Sequence, residues 1–333
     1  MSVLKQIQLP AEYDTRDVSS LPPFDSQLLV QHAADAHWIV SDSTGRVTAH
    51  ASLWWKNVPA HPLHQLGLVG HFAAADRKPA GELLSHATSE LARHGCTLAV
   101  GPMDGSTWRR YRLLTERGSE PSFFLEPDNP DEWPHWFRAC GFSPLAIYFS
   151  SLTSDLLTED SRIPRTVARL QQQGVHWRPL NLDRFLDELR HIYAVSRVSF
   201  QTNFLYTPIT EAEFLAQYER IRAHVRPELV LLAKHEGQPV GFVFAIPDLA
   251  RAKRGAIDTV ILKTVAVLPG RAYAGLGNVL VAQCHNAARR LGFRRAIHAL
   301  MHETNNSLNL SAHYAKPFRR YTLFAREINS APQ

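Results

Sequence analysis

The chain has 333 residues, 45% of them hydrophobic and 20% charged, with a formal net charge of +5. That length and composition describe a globular protein with room for two domains, and they exclude a disordered or low-complexity chain. The basic balance favours anionic partners, yet Arg289 and Arg290, Arg294 and Arg295, Arg319 and Arg320 come only in pairs, which argues against a nucleic-acid-binding surface.

Cys96, Cys140 and Cys284 are far apart and match neither a zinc site nor a disulfide framework, which suits a reducing compartment. The 17 histidines make no H-x-x-x-H on a helix and no Cys/His cluster, so no metal is expected. The opening "MSVLKQIQLPAEYD" lacks the apolar core of a secretory signal, and no run of about 18 apolar residues occurs. A cytoplasmic protein without a membrane span is the expectation.

In chain order, residues 1–29 read as an N-terminal extension. "HWIVSDSTGRVTAHASLWW" predicts a hairpin turning at Thr44 and Gly45, and "HQLGLVGHF" a short strand. "AGELLSHATSELARHG" is a helix with Leu83, Leu84, Ala87 and Leu91 on one face. The strand "CTLAV" ends at Gly101 and Pro102; a short helix, "EWPHWFRACGF", and a strand, "LAIYFSS", close a first unit at residues 30–155. The polar stretch that follows makes residues 156–175 a linker with one short helix.

Residues 176–329 form the second unit. Leu182, Phe185, Leu186, Leu189 and Ile192 mark one helix; Thr210, with Glu213 three residues on, opens another as a capping box. A hairpin around Glu236 and Gly237 and a strand ending at Pro269 come next. After a glycine-bearing turn, Leu280, Val281, Cys284, Ala287, Ala288 and Leu291 recur at helical spacing until Gly292. "RRAIHALM", "NNSLNLSAHYA" and "RYTLFAREI" read as strand, helix and strand.

The turn "RAYAGLGNVL" places Gly275 and Gly277 between a strand and a helix. Glycine permits positive φ and close approach of backbone N–H groups to an anion, and a helix N-terminus leaves such groups free. A dinucleotide fold fits poorly: Leu280 stands at the third glycine position of G-x-G-x-x-G, and a hairpin precedes the strand. No Gly-Lys-Ser/Thr follows, which excludes a P-loop. A turn that merely closes a strand–helix corner is the plain alternative.

The element order of the second unit, with Gly275 and Gly277 on both small positions of Q/R-x-x-G-x-G/A, resembles the GNAT N-acetyltransferase family. The first motif position departs from it, falling on Ala272, with Arg271 one residue earlier. The resemblance implies an α/β (α+β) fold: two tandem GNAT-like domains, each a mixed, mostly antiparallel sheet with flanking helices. It implies acetyl-CoA or another acyl-CoA as co-substrate, with no metal. Arg271, Gly275, Leu276, Gly277 and Asn278 would hold its pyrophosphate. Val265, Ala266 and Val267 would pair with its pantetheine arm, and Asn306 (or Asn305) would face it.

In such a site an amine attacks the thioester directly, so no enzyme nucleophile is required. The resemblance puts Tyr314 at the place of the acid for the leaving thiolate. Glu303 is the first candidate for the base, with Asp258 and His302 behind it, unless water carries the proton. The acceptor implied is a small-molecule or peptide amine, with no nucleic acid and no membrane as partner.

The first unit resembles a degenerate copy. Its segment "FAAADRKPAGELL" has only Gly81, within the expected helix, and should hold a pyrophosphate poorly. "GPMDGSTWRRYRLL" resembles a stretch of tandem GNAT-like bacterial proteins. Trp108, Arg109, Tyr111 and Arg112 there either pack on the core or present cations and aromatic rings to a substrate. The functional expectation is an acyl-CoA-dependent N-acyltransferase, with a non-catalytic acyl-CoA- or partner-binding tandem protein as the alternative.

Overall fold

The computed structural model describes residues 2–157, 160–304, 311 and 313–328. The first half contains strands β1 (Val3–Ile7), β2 (Ala36–Ser41), β3 (Val47–Trp54), β4 (Leu66–Ala74), β5 (Leu98–Gly101), β6 (Leu113–Glu116) and β7 (Ser143–Thr153). Its helices are α1 (Pro10–Asp14), α2 (Leu28–Gln31), α3 (Arg77–Arg93) and α4 (Trp133–Ala139). Helix α5 (Ile163–Gln172) occupies the linker. The second half runs β8 (Val175–Pro179), α6 (Phe185–Ser199), α7 (Glu211–Glu219), β9 (Val230–His235), β10 (Gln238–Pro247), β11 (Thr259–Val267), α8 (Leu276–Arg290), β12 (Arg295–His302) and β13 (Lys316–Glu327).

Local chemistry explains most of these boundaries. Glu236 and Gly237, at φ +50° and +78°, turn β9 into β10, the backbone that a two-residue hairpin demands. Thr210 Oγ1 accepts the N–H of Glu213 at 3.2 Å and caps α7. Only half of the capping box forms, because the Glu213 carboxylate is held by Arg109 instead. Helix α8 buries Leu280, Val281, Cys284, Ala287 and Ala288, and Gly292 stops it at φ +91°. Leu291, expected on the same face, is exposed.

The strands form one sheet, in the order β1-β2-β3-β4-β5-β13-β7-β12-β11-β10-β9-β8, with β6 paired to β13. Each half has one parallel pair, β4 with β5 and β11 with β12, in an otherwise antiparallel ladder. The halves exchange their last strands: β7 lies between β12 and β13, while β13 reaches across to β5. The result is two copies of one α/β unit joined through a continuous ladder.

Three strands were not expected from the sequence: β1, β8 and β6, the last pairing with β13. β1 lies in the expected extension and pairs with β2. β8 opens the second half ahead of α6 and pairs with β9; His176, Arg178 and Pro179 are not buried, so it lacks the apolar run of a core strand. The expected helix at "NNSLNLSAHYA" falls largely outside the described residues. No helix among them is long and apolar enough to cross a membrane.

The first core also holds a chain of buried polar contacts. His32 Nδ1 meets His71 Nε2 at 2.8 Å, and Ser52 Oγ lies 2.8 Å from both His71 Nδ1 and His37 Nδ1. Burial pushes His32 down to about 4, His50 to about 3 and His71 to about 2, and holds His37 well below its ordinary 6.5. In the second half burial likewise lowers His285 to about 4. Such groups are neutral in the fold and take up protons on unfolding. Their contribution is therefore complete above pH 6.5 and is lost as pH falls below it, by at most about 1.4 kcal/mol per pH unit for each buried histidine and by less for the partly exposed His32. Urea denaturation should show a midpoint that changes little between pH 7 and 8 and a steep fall between pH 6.5 and 5. A midpoint unchanged at pH 5 would refute this account.

Candidate active site

The site begins where β11 parts from β12. The two strands pair in parallel from Thr259 and Arg295 to Leu262 and His298, and no further. Beyond that point β12 pairs with β7, with Met301 opposite Phe149 and His302 opposite Tyr148, whereas β11 continues along β10, with Ala266 opposite Phe242. One edge of β11 is thereby left facing a cleft of about 1590 Å³. Val265, Ala266 and Val267 line it, as do Gly275, Gly277 and Asn278.

Gly275 is the N-cap of α8 at φ +81°, and no side chain caps this helix end. Val279 N–H donates back to Gly275 C=O, so the N–H groups of Leu276, Gly277 and Asn278 precede the first helical hydrogen bond. A Cβ on Gly275 would stand 2.8 Å from Thr166 Cγ2, so both the conformation and the space require glycine. Arg169 of α5 donates to the carbonyl of Ala274 and brings a cation beside the turn. The stretch read as a linker is thus the back wall of the turn, for which no motif gave a signal.

The first half has the same geometry closed by its own chain. β4 and β5 also part after three residue pairs, at Leu68 and Val100. There Met103 N–H donates to Val69 C=O, and Asp104 Oδ1 accepts the N–H of His71. A Cβ on Gly70 would stand 2.2 Å from the Met103 carbonyl oxygen, so nothing else fits between them. At the start of α3, Asp76 occupies the N-cap and its carboxylate accepts from Arg77 N–H. Gly81 lies inside α3, as expected. One helix end carries its own anion, and the other is open to one.

The match to known proteins agrees with this geometry. Residues 187–314 fit the model of the Acetyltransferase (GNAT) family. They form a GNAT domain. Protein YghO of Escherichia coli K12 is 21% identical over 313 residues, 85% of this chain and 79% of that protein. A bacterial ceramide synthase of Caulobacter vibrioides is 25% identical over 189 residues, which cover 56% of this chain but only 49% of that protein. The fold of the whole chain is that of a tandem GNAT protein from the clavulanic acid biosynthesis pathway, with 14% identity, a TM-score of 0.51, and 99% and 100% of the two chains covered.

Of the other expected residues of the GNAT domain, Leu276 is buried beneath the turn, and Arg271 is exposed on a short 3-10 turn outside the cleft lining. Asn305 and Asn306 lie outside the described residues. Tyr314 sits behind the cleft wall, its ring edge-on to His285 at 5.1 Å, and burial raises its hydroxyl above the ordinary value. Glu303 is exposed and turns to β7, accepting from Ile147 N–H at 3.2 Å. Asp258 is at the far end of β11, next to Arg251. His302 does line the cleft, but its Nδ1 accepts the N–H of Thr304. The neutral ring then carries its proton on Nε2 and has no free lone pair for a base.

The other wall of the cleft comes from the first half. Trp108 donates its indole N–H to the Thr207 carbonyl at 2.8 Å, and Arg109 donates to Glu213 at 2.8 Å. Both residues pack the halves together and line the cleft at once. Beneath them Arg319 and Glu126 form an ion pair at 3.0 Å, with side chains 0% exposed; Tyr321 also donates to Glu126. Removing one member of a buried pair strands the other charge. Glu126→Ala should therefore destabilise the protein by about 3–5 kcal/mol in chemical denaturation. A loss below about 1 kcal/mol, the range of exposed pairs, would mean that Arg319 finds another partner.

Proposed function

We propose that the protein is an acyl-CoA-dependent N-acyltransferase whose active site is the cleft between β11, β12 and the first-half loop. The observation that carries this is the uncapped N-terminus of α8, with Gly275 at φ +81°, opening onto the free edge of β11. The pyrophosphate fits there because unpaired N–H groups and the positive helix end offer what an anion needs. Arg169 adds a cation, and Arg271 lies close in sequence. The edge of β11 at Val265, Ala266 and Val267 suits an extended pantetheine arm, paired as an added strand would be. When bound, acyl-CoA supplies an acyl group already activated as a thioester.

The protein's own part is then to position, to polarise and to exclude water. A backbone N–H on the β11 edge can polarise the thioester carbonyl as an oxyanion-hole donor does. Tyr314, protonated and partly buried, lies behind the wall and outside the cleft lining, out of direct reach of the leaving thiolate, so water is the favoured source of that proton. Glu303 and Asp258 face away from the cleft, and His302 is occupied at Nδ1, so water is the favoured carrier of the amine proton. The transfer of acetyl is the simplest case. The cleft also has room for a longer acyl chain or a bulky acceptor, with Trp108, Phe200, Phe204 and Tyr218 along it. The name of the Caulobacter relative is in keeping with that, since a ceramide is an amide of a long-chain amine.

The test is calorimetric titration of acetyl-CoA into the wild type and Gly277→Asp. An acidic residue in the first turn of a helix complements its dipole, so this variant should stay folded while repelling a pyrophosphate. Binding should be saturable in the wild type and at least about tenfold weaker in the variant. Gly275→Asp should also lose binding, at an added cost in stability from the positive φ and the contact with Thr166. If the wild type binds neither acetyl-CoA nor a longer acyl-CoA, the transferase reading falls.

A further inference from the structure

The cleft contains a cation that the fold does not neutralise. Arg112, at the end of the first-half loop, is 6% exposed and lines the cleft. Its guanidinium lies 4.0 Å from the ring centroid of Tyr111 and 4.2 Å from that of Tyr148, in the angle between two rings set nearly perpendicular at 84°. Among the described residues its side chain makes one hydrogen bond, Nη1 to the Tyr111 hydroxyl at 2.8 Å, and its buried Nε has no partner. No carboxylate lies within ion-pairing distance of it among these residues. The backbone at Arg112 is at φ +68°, a conformation that costs energy for any residue but glycine.

A second cation faces it from the other half. Lys263 sits at the irregularity in β11, between Leu262, opposite Ala245, and Thr264, opposite Phe244, and it too lines the cleft without an ion-pair partner among the described residues. Burial, and secondarily the charge of Arg112, hold its ammonium down to about 8. The nearby carboxylate, Glu126, is already taken by Arg319 and Tyr321. Of the other two cleft arginines of the loop, Arg109 is satisfied by Glu213, and Arg110 is exposed and donates to the Asp128 carbonyl. Arg112 and Lys263 are left as two like charges at one place, an arrangement that a fold tolerates where an anion completes it.

We propose that Arg112 and Lys263 form an oxyanion subsite, and that the acceptor amine carries a carboxylate or phosphate that seats between them. The two ring contacts hold the guanidinium in place, and the N–H groups it does not spend on Tyr111 are left for a planar or tetrahedral oxyanion, the groups arginine binds best. The role of acceptor rests on the transferase reading above; the anion subsite does not. It also divides the labour of the halves: the second holds the acyl donor, and the first selects the acceptor by charge.

Paired probes that differ only in the anion test this by calorimetry on the full chain: glycine against glycinamide, and O-phosphoethanolamine against ethanolamine. In one pair the anionic member should bind the wild type at least about tenfold more tightly, and which pair it is tells carboxylate from phosphate. That preference should fall below about threefold in Arg112→Gln and in Lys263→Gln, and persist in Gly277→Asp. If Arg112→Gln does not fold, Lys263→Gln, on the opposite wall, decides alone. The subsite is overturned if neither pair shows the preference, or if the preference survives in the folded cation variants. Acetyl-CoA is titrated into the same wild-type sample: failure there with the preference intact sinks the transferase reading alone, and binding there without a preference sinks the subsite alone.

Discussion

The placement of β7 between β12 and β13 is the constraint from which the rest of the molecule follows. β7 belongs to the first half by sequence, yet its two ladders run to second-half strands, Ile297 facing Leu152 on one side and Tyr321 facing Tyr148 on the other. β13 repeats this in reverse, pairing with β5 of the first half through residues such as Phe324 opposite Gly101. Backbone hydrogen bonds buried inside a sheet cannot be given up without leaving polar groups unpaired, so the two halves are held in one register. Tyr148 is on β7, which is why a first-half ring can stack on Arg112 and stand next to His302 of β12. The cleft is a product of that shared ladder rather than of either half.

The two halves start from the same geometry and end in opposite chemistry, and a few groups decide which. Both parallel pairs separate after a few residues, which leaves an unpaired strand edge and a helix pointing its N-terminus at the gap. Such polar groups must be satisfied by something. In the first half the chain does it, with Met103 and Asp104 against β4 and the Asp76 carboxylate at the start of α3. In the second half neither device is present among the described residues: Gly275 brings no side chain, and β11 faces open space. In the proposed reading, a ligand with an anionic end and an extended polar arm would satisfy the helix end and the strand edge together.

Much of this was written in local patterns. The hairpin at Glu236 and Gly237, the Thr210 cap, the buried stripe of α8 and the glycine turn each depend on residues within one or two turns of each other, and all four were legible. The site residues that followed from the turn itself, Gly275, Gly277 and Asn278, line the cleft with Val265, Ala266 and Val267. What was not legible depends on partners distant in sequence. β1 and β8 are short, largely exposed strands whose membership is fixed by the neighbour they pair with. Arg169 matters because α5 packs on α8, and Glu213 left its capping box for Arg109, more than a hundred residues away. Asp76, three residues before Pro79, was a readable helix start, and it would have explained the closed first site. Glu303 and Asp258 look like bases at strand ends; only the register shows that one turns to β7 and the other lies at the wrong end of β11.

The charges of the cleft make the same point about the first half. Its loop from Gly101 to Arg112 carries three arginines toward the cleft, and their fates differ. Arg109 is spent on Glu213 and so fastens the loop to α7. Arg110 reaches the carbonyl of Asp128 at 2.5 Å from an exposed position, where solvent screens it. Arg112 alone is both buried and without a counter-charge, and it is the one held in a strained backbone between two tyrosines. A structural cation would be expected to relax toward Glu126, which lies in the same wall; instead Arg319 and Tyr321 occupy that carboxylate and keep it from doing so. The net charge of +5 in the sequence says only that anions are favoured. The fold makes that statement local, by neutralising the other buried cations around this cleft and leaving Arg112 and Lys263 facing the space where a substrate would lie.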